Sequence, residues 1–184
     1  SATTTVAPGA TAQVTSFTVT NSSNDTLDLG LTAAQLSGGT SAHGGSDSFD
    51  LTGLSMFVDT NSNGTYDAGT DQAATFLDEV AADASRTVFI VGDVPLGLAN
   101  AAVAGVTLVA QARAGGSAGS QGAVIAETSG ANTAGMDTVF ADAAGAAAGD
   151  AARDGKASDD DDYTVSAPTL TVTKQSRVVS DPVT

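Results

Sequence analysis

Apolar side chains in this chain recur at every second position, and no convincing apolar face appears at the 3.6-residue period of a helix, so its hydrophobic groups are expected to be buried in sheets. Residues 13–20 (QVTSFTVT) follow a Pro8-Gly9 turn and end in Asn21-Ser22-Ser23-Asn24-Asp25, the pattern of a strand bounded by turns. Leu27, Leu29 and Leu31 alternate with Asp28 and Gly30, which predicts a second strand paired to the first, its leucines on one face. Residues 54–58, 86–91 (RTVFIV) and 103–112 continue the series, while residues 37–48, rich in Gly and Ser, read as a long loop. Beyond residue 115 the chain turns to Gly, Ala, Ser and Asp, and strand patterns return only at Tyr163-Thr164-Val165 and at 170–174 (LTVTK), with Val178-Val179 beyond. The Ala-rich 141–152 is the one helix candidate, and Gly145, Gly149 and the lack of an apolar face argue against it. The predicted fold is all-β, an antiparallel β-sandwich with long Gly/Ala/Asp-rich loops. Its expected extent is residues 1–167, with 115–162 a loop-rich elaboration and 168–184 a separate C-terminal strand.

Composition narrows the chemistry. At 184 residues the chain is long enough to bury a core without staples, and with no cysteine it has none. That excludes a disulfide scaffold, a thiolate zinc site and cysteine catalysis. The net charge of −15 repels phosphate backbones and anionic bilayers, so no nucleic-acid partner is expected. The longest nearly apolar run, residues 101–110, is far short of the ~20 residues a bilayer requires, and no membrane insertion is predicted. Of the 21 acidic residues only Glu79 and Glu127 are glutamate; the other 19 are Asp, a poor residue for element interiors and a good one for turns and oxygen-ligand loops. This balance fits an exported protein in a calcium-rich medium better than a cytosolic one. No basic-then-apolar signal opens the chain, so in a secreted protein Ser1 is expected to follow a cleavage site or an upstream domain.

The most specific motif is DTNSNGTYDAGTD at 59–71. Asp59, Asn61, Asn63 and Asp67 stand at the first, third, fifth and ninth positions around Gly64, the spacing that aims alternate oxygens at a hard cation while glycine permits the reversal. The carbonyl of Thr65 would supply the seventh-position ligand. The twelfth position holds Thr70 instead of a bidentate Glu, and Asp71 comes one residue late. The expectation is one Ca2+ held by Asp59, Asn61, Asn63, Thr65, Asp67 and Asp71; the alternative is a plain Asn63-Gly64 hairpin turn. A second acidic cluster, Asp154 with Asp159, Asp160, Asp161 and Asp162, reads either as a solvated run or as a fold around a second cation.

Catalytic chemistry is sparse. The single histidine, His43, sits among Ala42, Gly44 and Gly45 and reads as an exposed loop residue without the scaffold that a catalytic base needs. No phosphate-binding glycine motif occurs, and two Tyr and six Phe offer few platforms for sugars. No residue is expected to be catalytic.

Two segments carry a resemblance. Residues 6–21 (VAPGATAQVTSFTVTN) resemble the V-x-P-G-x-x-V-x-[YF]-x-[VI]-x-V-x-N opening of the immunoglobulin-like conserved repeat domains of large bacterial surface proteins. Residues 80–90, followed by Val94-Pro95, resemble the later half of that domain, with Asp83-Ala84 where Pro-Gly is usual. The 59–71 loop is similar to calcium loops of bacterial surface repeats and dockerin-like segments. The resemblance covers about the first 112 residues and the C-terminal strand, and implies an immunoglobulin-like sandwich acting outside the cell as a structural or adhesive module. Three readings follow: a subunit or repeat of a surface filament or layer, a calcium-dependent adhesin binding carbohydrate or matrix, and a secreted hydrolase with an unrecognised Asp site. In the resembled repeats an L-x-V-x-K edge strand precedes V-x-P-G. Here only residues 2–5 precede it, and LTVTK comes last, followed by Ser180-Asp181-Pro182-Val183. Leu170, Val172 and Lys174 are therefore expected either to pair at home or to be donated to a neighbouring copy, whose shortened or missing first strand would accept them.

Overall fold

The computed structural model describes residues 2–130 and 137–177. Among these residues there are nine strands and no helix. They are β1 (Thr4–Val6), β2 (Gln13–Thr20), β3 (Leu27–Gln35), β4 (Thr52–Val58), β5 (Gln72–Ala73), β6 (Phe76–Val80), β7 (Ser85–Asp93), β8 (Val103–Ala114) and β9 (Lys156–Val165). Five of them form one sheet in the order β1-β9-β8-β3-β6, and four form the other in the order β2-β7-β4-β5. The period-two pattern turns one side of each sheet inward. Leu29, Leu31, Leu77, Val106, Leu108, Tyr163 and Val165 of the first sheet meet Phe17, Val88 and Ile90 of the second in one core. The all-β sandwich is thus what these residues build.

Three pairings differ from the sequence reading. β3 does not pair with β2: it lies between β8 and β6 in the opposite sheet, while β2 pairs with β7. The turn between them carries the chain across the sandwich because Asn21 is buried in it, its side-chain amide donating to the carbonyls of Val80 and Asp25 at 2.8 Å each. The five-stranded sheet is mixed, not wholly antiparallel, since β1 runs parallel to β9. The opening strand is accordingly present but only three residues long. Lastly, the run Asp159 to Asp162 is not a loop. It forms the middle of β9, in register with Leu108, Thr107, Val106 and Gly105 of β8. Alternation alone would not place four carboxylates in a strand; hydroxyl and backbone donors make it tolerable, as when Thr107 donates to Asp160 and Thr15 of the facing sheet donates to Asp161.

After Val165 the chain leaves the sheet. Ser166 donates to the Val6 carbonyl and Ala167 to the side chain of Asn100, and Pro168 follows, which has no N–H to give a ladder. Residues 166–177 form no strand, so LTVTK does not pair at home; Leu170 is 92% and Val172 86% exposed. Val178-Val179 and the Ser180 to Val183 stretch lie outside the described residues.

One feature of the four-stranded sheet bears on the motif. Phe89 of β7 points to the outer face, yet it is buried, because the loop after β4 folds back over it. Tyr66 from that loop packs on Phe57 and Phe89, with ring centroids 4.9 and 5.9 Å apart.

Candidate metal sites

The 59–71 loop joins β4 to β5, whose pairing of Phe57 with Ala73 and Val58 with Gln72 brings its two ends together. At its base Asp59 donates its N–H to the Thr87 carbonyl, and the Thr60 hydroxyl donates to the Thr70 carbonyl. Both flanking carboxylates are buried and turned into the loop. Asp59 accepts from the amides of Asn63 (3.3 Å) and Gly64 (2.8 Å), and Asp71 from those of Thr60 (3.2 Å) and Asp67 (2.8 Å). Asn61 Oδ1 accepts from the Asn63 amide and Asn63 Oδ1 from the Thr65 amide, two turns that hold the alternating side chains in place. Gly64 takes a φ of +74° at the reversal, a conformation that strains a residue bearing a Cβ. The Asp67 carboxylate receives the side-chain amides of Asn61 (2.9 Å) and Asn63 (2.6 Å), which hold its pKa below the ordinary value. The structure therefore joins Asp59, Asn61, Asn63, Thr65, Asp67 and Asp71 in one hydrogen-bonded loop, and Asp71, not Thr70, is the late carboxylate that reaches back.

The second acidic cluster does not come together. Asp154 belongs to the turn before β9, where it accepts from the amides of Ala151 and Lys156 and pairs with the Lys156 ammonium at 3.2 Å. Asp159 and Asp160 are not fully buried, whereas Asp161 and Asp162 are closed off inside. Of this group only Asp161 and Asp162 approach each other, beside His43, while Asp154 is held in its own turn.

Among the described residues, two other groups bring three His, Asp or Glu ligand atoms within 4.8 Å of one another: Asp28 with Asp78 and Glu79, and His43 with Asp161 and Asp162. The first group is accounted for by backbone donors. Asp28, fully buried on β3, accepts from the amides of Glu79 (2.9 Å) and Gly122 (2.8 Å); Glu79 accepts from Gly116 and Ser117, and Asp78 from Gly119. These carboxylates fasten the Gly-rich start of the 115–162 stretch to the sheet. Substituting Asp28→Ala removes the partner of two N–H groups, and is expected to cost roughly 3 kcal/mol in chemical denaturation and to open residues 115–122 to protease. Unchanged stability and cleavage would show that the stretch is held by something else.

The second group keeps His43 exposed in its loop, as expected, but gives it a scaffold that the sequence reading lacked, since its amide donates to Asp162 of β9 at 2.9 Å. The 37–48 loop is pinned along β8. Asp47 accepts from the Gly105 amide, Ser48 bonds the Val103 backbone in both directions, and Ser41 donates to Gly44. No sequence signal pointed to this, because the partners lie 118 and 119 positions away.

No family model, no curated protein and no solved structure matches this chain.

Proposed function

We propose that this chain is an extracellular structural subunit or repeat of a bacterial surface filament or layer. In this reading the 59–71 loop is ordered by one calcium ion, and residues 170–174 are donated as a strand to a neighbouring copy. The observation that carries it is the exposure of Leu170 and Val172 on a segment that alternates apolar and hydroxyl side chains yet pairs with no strand of its own sandwich. Such a segment is an incomplete strand, and a sheet edge completes it. β2 offers one: eight residues bonded on one side to β7 and forming the free margin of its sheet. Donor and acceptor lie at different places on the chain, so the contact is heterologous and propagates instead of closing.

The calcium part rests on the loop's chemistry. A cation among Asp59, Asp67 and Asp71 takes over the work now done by the amides of Asn61 and Asn63 at the Asp67 carboxylate, and the side-chain oxygens of both asparagines keep a second lone pair for it. Calcium also suits assembly, because copies of net charge −15 repel one another until the field is neutralised or screened. No catalytic role is assigned.

The test is deletion of residues 168–184, with the segment returned as a peptide. In calcium the full chain is expected to form filaments visible by negative-stain electron microscopy. The truncated chain stays monomeric and binds the peptide stoichiometrically. Filaments from the truncated chain, or monomers indifferent to the peptide, would rule out strand donation.

A further inference from the structure

The sandwich has four marginal strands, β1 and β6 in one sheet and β2 and β5 in the other. Three are poor acceptors of a further strand. β5 is two residues long and β1 three, and β6 has residues 116–119 fastened to its Asp78 and Glu79. β2, with eight residues, offers the longest margin.

That margin is also grooved. Val14 and Ser16 lie opposite Val91 and Phe89 of β7, so the four side chains share the outer face of the sheet. The 59–71 loop, folded over Phe89, brings Thr65 and Tyr66 beside this end of β2. Thr4 of β1 closes the other side, its hydroxyl donating to the Val14 carbonyl at 3.3 Å. Between the two walls is a cleft of about 340 Å3. Ser16, exposed in its floor, is small where its partner across the ladder is the buried Phe89, and that difference leaves room for a large side chain from outside.

We propose that Leu170 of a second copy seats in this cleft, opposite Ser16 and against Tyr66, as its strand adds to the margin of β2. The inference rests on the strand-donation reading and names the acceptor. Leu170 and Val172 are the apolar pair of an alternating segment, so both face the same way once it is extended, with Thr171 turned to the opposite face. Charge favours the same occupant. Residues 168–177 carry Lys174 and Arg177, two of the chain's six cationic residues, and no acid, whereas one wall of the cleft belongs to the loop of Asp59, Asp67 and Asp71 on a chain of net charge −15. A cationic segment is thereby drawn to an acidic wall, while the bodies of the two copies repel each other.

Because the chain has no cysteine, an engineered pair reports the contact directly. Full-length Leu170→Cys mixed with full-length Ser16→Cys under oxidation is expected to give a disulfide between copies, since opposed strand residues bring their Cβ atoms close to bonding distance. Mass spectrometry of the linked peptides identifies it. Thr32→Cys, exposed on β3 of the other sheet, should link to Leu170→Cys at least tenfold less. Both Ser16 and Leu170 are exposed, so their variants are expected to fold. Leu170→Asp in the full chain should weaken assembly about tenfold or more, because the burial of the leucine is lost. Filaments that need residues 168–184 yet show no more linkage at Ser16→Cys than at Thr32→Cys would overturn this placement and leave strand donation standing. A chain that neither assembles nor links at either position overturns both.

Discussion

Replacing Tyr163 with alanine is expected to lower the unfolding free energy by roughly 3–5 kcal/mol, a large share of the ~5–15 kcal/mol that a domain possesses. Tyr163 is fully buried on β9, and its hydroxyl donates at 2.8 Å to the Ile90 carbonyl of β7, so one side chain spans the sandwich and joins both sheets. With only 4% aromatic residues in the chain, no neighbour of similar volume can fill the space it leaves. Tyr163→Phe keeps the ring and loses the bond, and should cost about 1 kcal/mol. The same residue predicts an alkaline limit. Burial, with the Asp161 charge adding to it, pushes the phenol pKa above its ordinary value of about 10. A folded-state pKa above the unfolded one gives stability that is complete below about pH 10 and is lost as pH rises toward the folded value. Urea unfolding curves at pH 8 and pH 11 should therefore differ less for Tyr163→Phe than for wild type. Equal losses in both would place the alkaline weakness elsewhere.

Removal of calcium is expected to have the second-largest effect. An ion bound only by the folded chain and present at about a hundred times its dissociation constant adds about 2.7 kcal/mol, which for a chain of this size is roughly 5–10 °C in melting temperature. Chelation should take that away, and Asp59→Ala should melt at one temperature with or without chelator. Asp59 is the informative position because it is buried, begins the motif and holds the amides of Asn63 and Gly64. Asp71→Asn should weaken the response, since Asp71 closes the loop from its far end. Equal melting temperatures in calcium and in chelator for the wild type, with no heat on titration, would end the calcium assignment.

How much was legible beforehand depends on how far apart the partners lie along the chain. QVTSFTVT and RTVFIV announce strands because a period of two is a local property, and the 59–71 loop is local too, its ligand candidates within 13 residues of one another. Asp28, Asp161 and Asp162 were illegible as buried groups, because what makes each tolerable is a donor far along the chain: Gly122, Thr15 and His43. The same distance hid the pairing of β3, since a leucine alternation tells which face is apolar and says nothing about which strand lies beside it.

The sequence by itself determined that the chain is built of strands, that Leu29 and Leu31 share one face, and where the Asp/Asn-rich 59–71 loop stands, since each is fixed by spacing within a few residues. Only the tertiary structure decided the rest. It set β1 parallel to β9, put the aspartate run into a strand, laid Tyr66 over Phe89, left LTVTK outside the sandwich and carried a loop histidine to two buried carboxylates. The physical reason is that these outcomes turn on desolvation and hydrogen-bond completion between remote segments, energies that exist only once the two sheets have closed on each other.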